Sequence, residues 1–316
     1  RTLGFRWRLT LGMYVLSVEK PTLRNKFAAG IGVVLVCVVA SFIPTPVFAL
    51  DTAKLIQAVQ AEESASQARV GMTVFDANTG TTWNYRGDER FPLNSTHKTF
   101  SCAALLAKVD GKSLSLGQSV SISKEMLVTY SPITEKSLSP ETVTFGKICQ
   151  AAVSYSDNTA ANVVFDAIGG ATGFNAYMRS IGDEETQLDR KEPELNEGTP
   201  GDVRDTTTPN AMVNSLRKIL LGDALSVSSR SQLTQWMLDD QVAGALLRAS
   251  LPSDWKIADK TGAGGYGSRS IVAVIWPPSK QPLVVGIYIT QTKASMQASN
   301  QAIARIGAVL KDTVAP

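Results

Sequence analysis

The chain has 316 residues, 44% of them hydrophobic, with a formal net charge of +3, one His and three Cys. A single His beside so few Cys argues against a catalytic zinc site of the usual His-rich type, and no metal or other cofactor is expected. No basic stripe of the kind that tracks a phosphate backbone is evident, so nucleic acid is not expected as a partner.

The first 49 residues differ from the rest. Arg24 and Lys26 precede an uncharged apolar run from Phe27 to Ile43, and Val47-Phe48-Ala49 then offers the small-residue spacing of a signal-peptidase site. The run is shorter than the roughly 20 residues a spanning helix needs, and Pro44 and Pro46 stand behind it. Cys37 follows Val36 rather than a small residue, against a lipoprotein signal. Residues 1–49 are therefore predicted to be a secretory signal, those before Met13 being upstream extension, with no membrane anchor after cleavage. This leader holds six Lys or Arg against one Glu, a net of five positive charges, so residues 50–316 carry a net −2. The expected product is a periplasmic or secreted monomer.

Past the leader, Leu55, Ile56 and Val59 predict an opening helix with one apolar face. Two strands follow, Ala68 to Phe75 and Thr81 to Tyr85, joined at the tight-turn sequence Asn78-Thr79-Gly80. From about Ser95 to Ser250 strand signals vanish and apolar residues recur at helical spacing, as in Cys102, Leu105, Leu106 and Val109. Strand-like runs return at Trp255 to Lys260, Ser270 to Trp276 and Leu283 to Thr290, before a last helix from about Ser295 to Leu310. The set predicts an α+β fold in which the early hairpin joins the late strands in an antiparallel sheet of about five strands, covered by the terminal helices. The α/β lobe takes about 50–90 and 251–316, and an inserted all-α lobe takes about 91–250. Such a layout leaves a cleft at the lobe boundary, where ligand sites tend to lie.

Three short strings fall along that cleft. Ser95-Thr96-His97-Lys98 opens a helical run, placing the Ser95 hydroxyl in a first turn where free N–H groups and the helix dipole favour negative charge by about 0.3 to 1 kcal/mol. Lys98, three residues on, shares that face within reach of Ser95 Oγ, and acts as a base only if its pKa is lowered. The spacing alone is weak, because Ser-x-x-Lys recurs at Ser121/Lys124, Ser215/Lys218 and Ser253/Lys256, none in a comparable setting. Ser156-Asp157-Asn158 either relays a proton to a leaving amine through Ser156 and holds a substrate amide through Asn158, or is a plain helix cap. Lys260-Thr261-Gly262 places an ammonium and a hydroxyl at a strand edge, with a glycine that lets a ligand backbone approach. The backbone N–H groups of Ala263 and Ser95 would form an oxyanion hole. Together these groups are a kit for acylating a serine. Cys102 and Cys149, both in apolar helical patterns, read as buried thiols or, after export, as a disulfide closing a loop of about 47 residues, worth roughly 4 kcal/mol.

The ordered set resembles the class A serine β-lactamases, a family for which these three strings are an established signature. The resemblance extends over nearly all of residues 50–316 and includes Tyr130-Ser131-Pro132, Arg190-Lys191-Glu192-Pro193-Glu194-Leu195-Asn196 and Arg204-Asp205-Thr206-Thr207. It implies that Glu192 activates a hydrolytic water held with Asn196, that Arg190 and Asp205 pin the neck of their loop, that Tyr130 lines the substrate site, and that Arg269 meets a substrate carboxylate. Gly264-Gly265-Tyr266-Gly267-Ser268-Arg269 is similar to the carbenicillin-hydrolysing branch, although that branch often carries Arg where this chain has Lys260. Two other departures are Lys191, at a position often aromatic, and His97, also at an often aromatic position and read here as a core-packing residue. Whether Lys98 or Glu192 is the base in acylation stays open at this level. The implied activity is hydrolysis of penicillins, carboxypenicillins included, through a serine ester. A D-alanyl-D-alanine carboxypeptidase and a β-lactam sensor share the three strings, and Glu192 separates them from a hydrolase.

Overall fold

Residues 51–314 are described by a computed structural model, and the predicted leader lies outside them. In chain order the elements are α1 (Thr52–Ser66), β1 (Arg69–Asp76), β2 (Thr81–Tyr85), β3 (Phe91–Pro92), α2 (His97–Asp110), β4 (Ser119–Ser121), β5 (Thr142–Thr144), α3 (Phe145–Ser154), α4 (Asn158–Ile168) and α5 (Gly170–Ser180). Then come β6 (Thr206–Thr207), α6 (Pro209–Leu220), α7 (Val227–Leu238), β7 (Lys256–Ala263), β8 (Arg269–Trp276), β9 (Leu283–Thr290) and α8 (Met296–Val314). No helix among the described residues is long and apolar enough to cross a membrane.

The five long strands form one antiparallel sheet in the order β2-β1-β9-β8-β7. Alternation along each strand sorts its side chains into two separate cores, because successive residues point to opposite faces. Val70, Met72 and Val74 of β1, Ile271, Ala273 and Ile275 of β8 and Leu283, Val285, Ile287 and Ile289 of β9 pack with Leu55 and Val59 of α1 and Ile303, Ile306 and Leu310 of α8. Their neighbours Phe75, Val272, Val274, Val284 and Tyr288 face the other way, into the core shared with the central helices. An ion pair from Arg305 of α8 to Glu62 of α1 at 2.6 Å ties the terminal helices together.

Several expectations need correction. Ile56 does not share the buried stripe of α1; it is exposed, because Leu55, Val59 and Glu62 stack one turn apart and position 56 is rotated off that row. The segment from Ser95 to Ser250 is not free of strands: β4 pairs with β5, and β6 pairs with β3. Both pairs are too short to leave a period-two pattern in the sequence. The predicted strand ending at Lys260 runs on to Ala263.

The inserted helices are joined by a disulfide between Cys102 of α2 and Cys149 of α3, whose Cα atoms lie 5.7 Å apart. Helix α6 packs back onto β1, β8 and β9, its N-terminus capped by Thr208 and opened by Pro209. The start of α2, the start of α4 and the edge strand β7 thereby meet along one side of the sheet.

Candidate active site

Ser95 lies in a 3-10 turn, Asn94–Thr96, that feeds directly into α2, not inside the α-helix itself. Its side chain borders a cavity of about 340 Å³, lined also by Tyr130, Ser156, Asn158, Asn196 and the β7 residues Thr261, Gly262 and Ala263. Arg269, Val242 and Met296 close the wall. A larger cavity of about 440 Å³ lies behind the loop that carries Asp202 and Arg204. Its four arginines, Arg69, Arg90, Arg190 and Arg204, are each paired to a carboxylate, and none of the groups from the three strings faces it.

Lys98 follows on α2 and is fully buried. Its ammonium is bonded to other groups than Ser95 Oγ. Nζ donates to the Ser156 carbonyl at 2.8 Å and to Asn158 Oδ1, and lies 3.0 Å from Glu192 Oε1. An i,i+3 spacing puts two side chains on one face but does not fix where a four-carbon stem ends, and here three acceptors on other segments capture it. Ser95 Oγ instead donates to Glu192 Oε1 at 3.4 Å.

The capping reading of the Ser156-Asp157-Asn158 string holds for its middle residue. Asp157 is the N-cap of α4, accepting from Ala160 N, and it also receives the Ile133 and Thr134 N–H groups. That leaves Ser156 just before the helix with φ +59°, only 9% exposed, its hydroxyl accepting from Lys260 Nζ at 3.0 Å. Asn158 receives Lys98 through Oδ1 while its Nδ2 donates to the Thr129 carbonyl and its backbone N–H to Tyr130. These bonds hold Tyr130, at φ +67° and half exposed, over the cavity mouth.

Lys260 is fully buried on β7, the outer strand of the sheet. Burial is the main cause that pushes its ammonium down to about 7; Lys98 and Arg269 add to the effect, while Asp240 and Asp259 oppose it. Asp259 is held by Arg248 on the opposite side of the strand and is itself pushed up to about 7 by burial, against the Arg248 bond. Register places Gly262 opposite Ser270 and Ala263 opposite Arg269. A Cβ at Gly262 would strike Ser270 Oγ, and one at Gly265 would overlap the Glu197 carbonyl, so both glycines allow close approach of the strand end to its surroundings. Arg269 donates to Asn300 Oδ1 at 2.7 Å and to the Gly262 carbonyl at 3.1 Å.

Glu192 arrives from the irregular loop between Asp189 and Asp205. The neck of that loop is closed by Arg190 Nε donating to Asp205 Oδ2 at 2.6 Å, while Asp205 Oδ1 takes the backbone N–H groups of Asp189 and Arg190. Glu192 is 2% exposed. Burial alone would raise its pKa, but Lys98 and the hydrogen bonds from His97 and Lys98 outweigh burial and hold the carboxyl well below the usual carboxylate range. Burial also pushes Lys98 below its ordinary range, against the attraction of Glu192. Asn196 Nδ2 donates to Glu192 Oε2, and its Oδ1 accepts from Asn94 beside Ser95.

Three contacts were not legible beforehand. Asn162 on α4 clamps the Glu192 backbone in both directions, accepting its N–H and donating to its carbonyl, each at 2.9 Å. Lys191 forms an exposed ion pair with Asp166 of α4. His97, expected only to pack, does stand edge-on to Phe174, yet its Nε2 faces Glu192 Oε1 at 3.4 Å. Nothing in the sequence pairs His97 with a loop 95 residues away.

A family model described as Beta-lactamase enzyme family matches residues 53–314. Beta-lactamase AER-1 of Aeromonas hydrophila is 98% identical over 304 residues, covering 96% of this chain and 100% of that protein. Beta-lactamase PSE-4 of Pseudomonas aeruginosa is 47% identical over 267 residues, 84% of this chain and 92% of its own. Among solved structures, the ancestral (GNCA) class A β-lactamase shares 47% identity with a TM-score of 0.80, covering 82% of this chain and 99% of that one. The chromosome-encoded β-lactamase of Vibrio parahaemolyticus follows at 45% and 0.79, covering 82% and 98%.

Proposed function

The chain belongs to the beta-lactamase enzyme family and hydrolyses the β-lactam ring of penicillins, conferring resistance to them; we propose that Ser95 is the nucleophile of that reaction and Glu192 the base that empties it. The observation that carries this reading is the contact of one buried carboxylate, Glu192 Oε1, with both Ser95 Oγ and Lys98 Nζ.

In acylation Ser95 Oγ attacks the lactam carbonyl carbon and its proton passes to Glu192. Lys98 is poorly placed to take it, since the three hydrogens of its ammonium are committed to Ser156, Asn158 and Glu192. The oxyanion is met by the backbone N–H groups of Ser95 and Ala263, donors of the kind whose loss typically costs roughly 10²- to 10³-fold in rate. The C–N bond then breaks, and the nitrogen receives the Ser156 hydroxyl proton, replaced from Lys260; before deacylation Glu192 releases to solvent the proton it took from Ser95 and Lys260 regains one, which restores the carboxylate and the ammonium. In deacylation a water between Glu192 and Asn196 gives a proton to Glu192 and attacks the ester; the C–O bond breaks and Ser95 recovers its hydrogen. Lys260, Thr261 and Arg269 receive the substrate carboxylate, and Asn158 its side-chain amide. Carboxypenicillins are proposed as substrates on the similarity around Gly264 to Arg269. The enzyme is proposed to act as an exported monomer after removal of residues 1–49.

The test is Glu192→Asn. Mass spectrometry on this variant with a penicillin should show a lasting adduct on Ser95, with turnover slowed by about 10²- to 10⁴-fold, the range typical of a lost general base. Normal hydrolysis without an adduct would remove Glu192 from the mechanism, and release of D-alanine from a D-alanyl-D-alanine peptide by the unaltered protein would favour a carboxypeptidase.

A further inference from the structure

The chain contains one histidine, and it is buried against the loop glutamate. His97 Nδ1 lies 3.1 Å from Ser101 Oγ, one turn along α2, and Nε2 lies 3.4 Å from Glu192 Oε1. The ring is fixed on a third side by Phe174 of α5, at a centroid distance of 6.4 Å and an interplanar angle of 72°. Donor and acceptor counting assigns the hydrogens. An ionised carboxylate only accepts, so Nε2 must carry the proton that faces Glu192; Nδ1 of the neutral ring then only accepts, and the Ser101 hydroxyl donates to it. Burial pushes the imidazole below its ordinary pKa, with Lys98 from its own helix acting in the same direction; Glu192 and Asp205 from the loop act oppositely, and α5 contributes only the Phe174 ring. The neutral Nε2–H form follows.

We propose that His97 is a positioning residue for Glu192: through the chain Ser101 Oγ–H to Nδ1 and Nε2–H to Oε1, it fixes the carboxylate oxygen that faces Ser95 and favours its ionised form. The other donor to that oxygen besides Ser95 is Lys98, whose long stem has four rotatable bonds. The imidazole has two and is buried against Phe174, so it sets the orientation of Oε1 more sharply. The inference rests on Glu192 being the base, and it adds what keeps that base aimed and charged.

The single histidine is its own reporter. Nitrogen-15 NMR of the unaltered enzyme should show one imidazole, neutral and protonated at Nε2, from pH 5.5 to 8. An Nδ1–H tautomer, or titration near 6.5 like a solvated histidine, overturns the proposal. In kinetics, the double substitution His97→Phe with Ser101→Leu removes both polar partners together, which avoids stranding either one. The acid limb of kcat should move up by about one pH unit, as expected when a carboxylate loses one charged hydrogen bond. His97→Gln, whose Nε2 can occupy the same donor position, should restore the limb to within about 0.3 unit of the unaltered enzyme. Profiles that superimpose for both variants reject positioning. Normal turnover by Glu192→Asn would reject the premise separately, without altering the tautomer result.

Discussion

The proposed acylating half of the site and the proposed hydrolytic half are held in place by different means. Lys98 sits in the first turn of α2, Ser95 in the short turn that leads straight into it, and Lys260 and Thr261 on β7, so helix and ladder hydrogen bonds hold this half by register. Glu192 and Asn196 ride on a loop with only a single 3-10 turn of its own. Discrete polar clamps replace the ladder there: Arg190 with Asp205 at the neck, Asn162 on the Glu192 backbone, Gly265 N–H on the Asn196 carbonyl, and His97 on the carboxylate. A regular element distributes its positioning over many bonds, whereas a clamped loop can lose its geometry at one residue.

Three further experiments strain that contrast, from the largest effect to the smallest. Ser95→Ala removes the proposed nucleophile and should abolish adduct formation, lowering turnover by roughly 10⁴-fold or more. Adducts that moved to Ser121 or Ser215 instead would break the assignment of the acylating half. Asp205→Asn keeps an acceptor for the two backbone N–H groups but loses the charged bond to Arg190, loosening the loop neck by about 2 kcal/mol. The acylation burst should stay near normal while steady turnover falls about tenfold or more, as expected for a loss of roughly that size; an equal loss in both phases would show that the halves are not separately held.

The smallest effect is a pH dependence on the rigid side. In the proposed reaction Lys260 serves as an ammonium, and burial pushes its pKa down to about 7, so kcat/KM should fall as pH rises through that value, by about tenfold per unit in the limit. A bound carboxylate raises the lysine, so the corresponding limb of kcat should lie higher. Lys260→Arg should flatten the limb by keeping the charge. Stability runs the other way: between about 7 and the ordinary lysine range the unfolded chain binds the proton and the folded one does not, so this group adds stability with rising pH. Thermal unfolding across pH 7 to 10, compared with Lys260→Arg, checks that sign.

The contrast also explains what could be read from the chain. The three strings were visible because their groups lie close together along regular elements, where spacing translates into direction. The five-stranded sheet was visible because alternation is a local property. The clamps were not. Asn162 meets Glu192 across 30 residues and His97 meets it across 95, and neither partnership leaves a periodic trace. Lys98 marks the limit: its spacing placed it on the correct face, but its Nζ bonds Ser156, Asn158 and Glu192 rather than Ser95.

By itself, then, the sequence determined which chemistry is available: a serine, two lysines, a second hydroxyl and a loop carboxylate, carried on an α+β scaffold whose strand and helix periods are written locally. Only the tertiary structure decided which oxygen faces which hydrogen. Long side chains take their final direction from acceptors contributed by distant segments, and a buried carboxylate takes its charge from the donors that folding gathers around it.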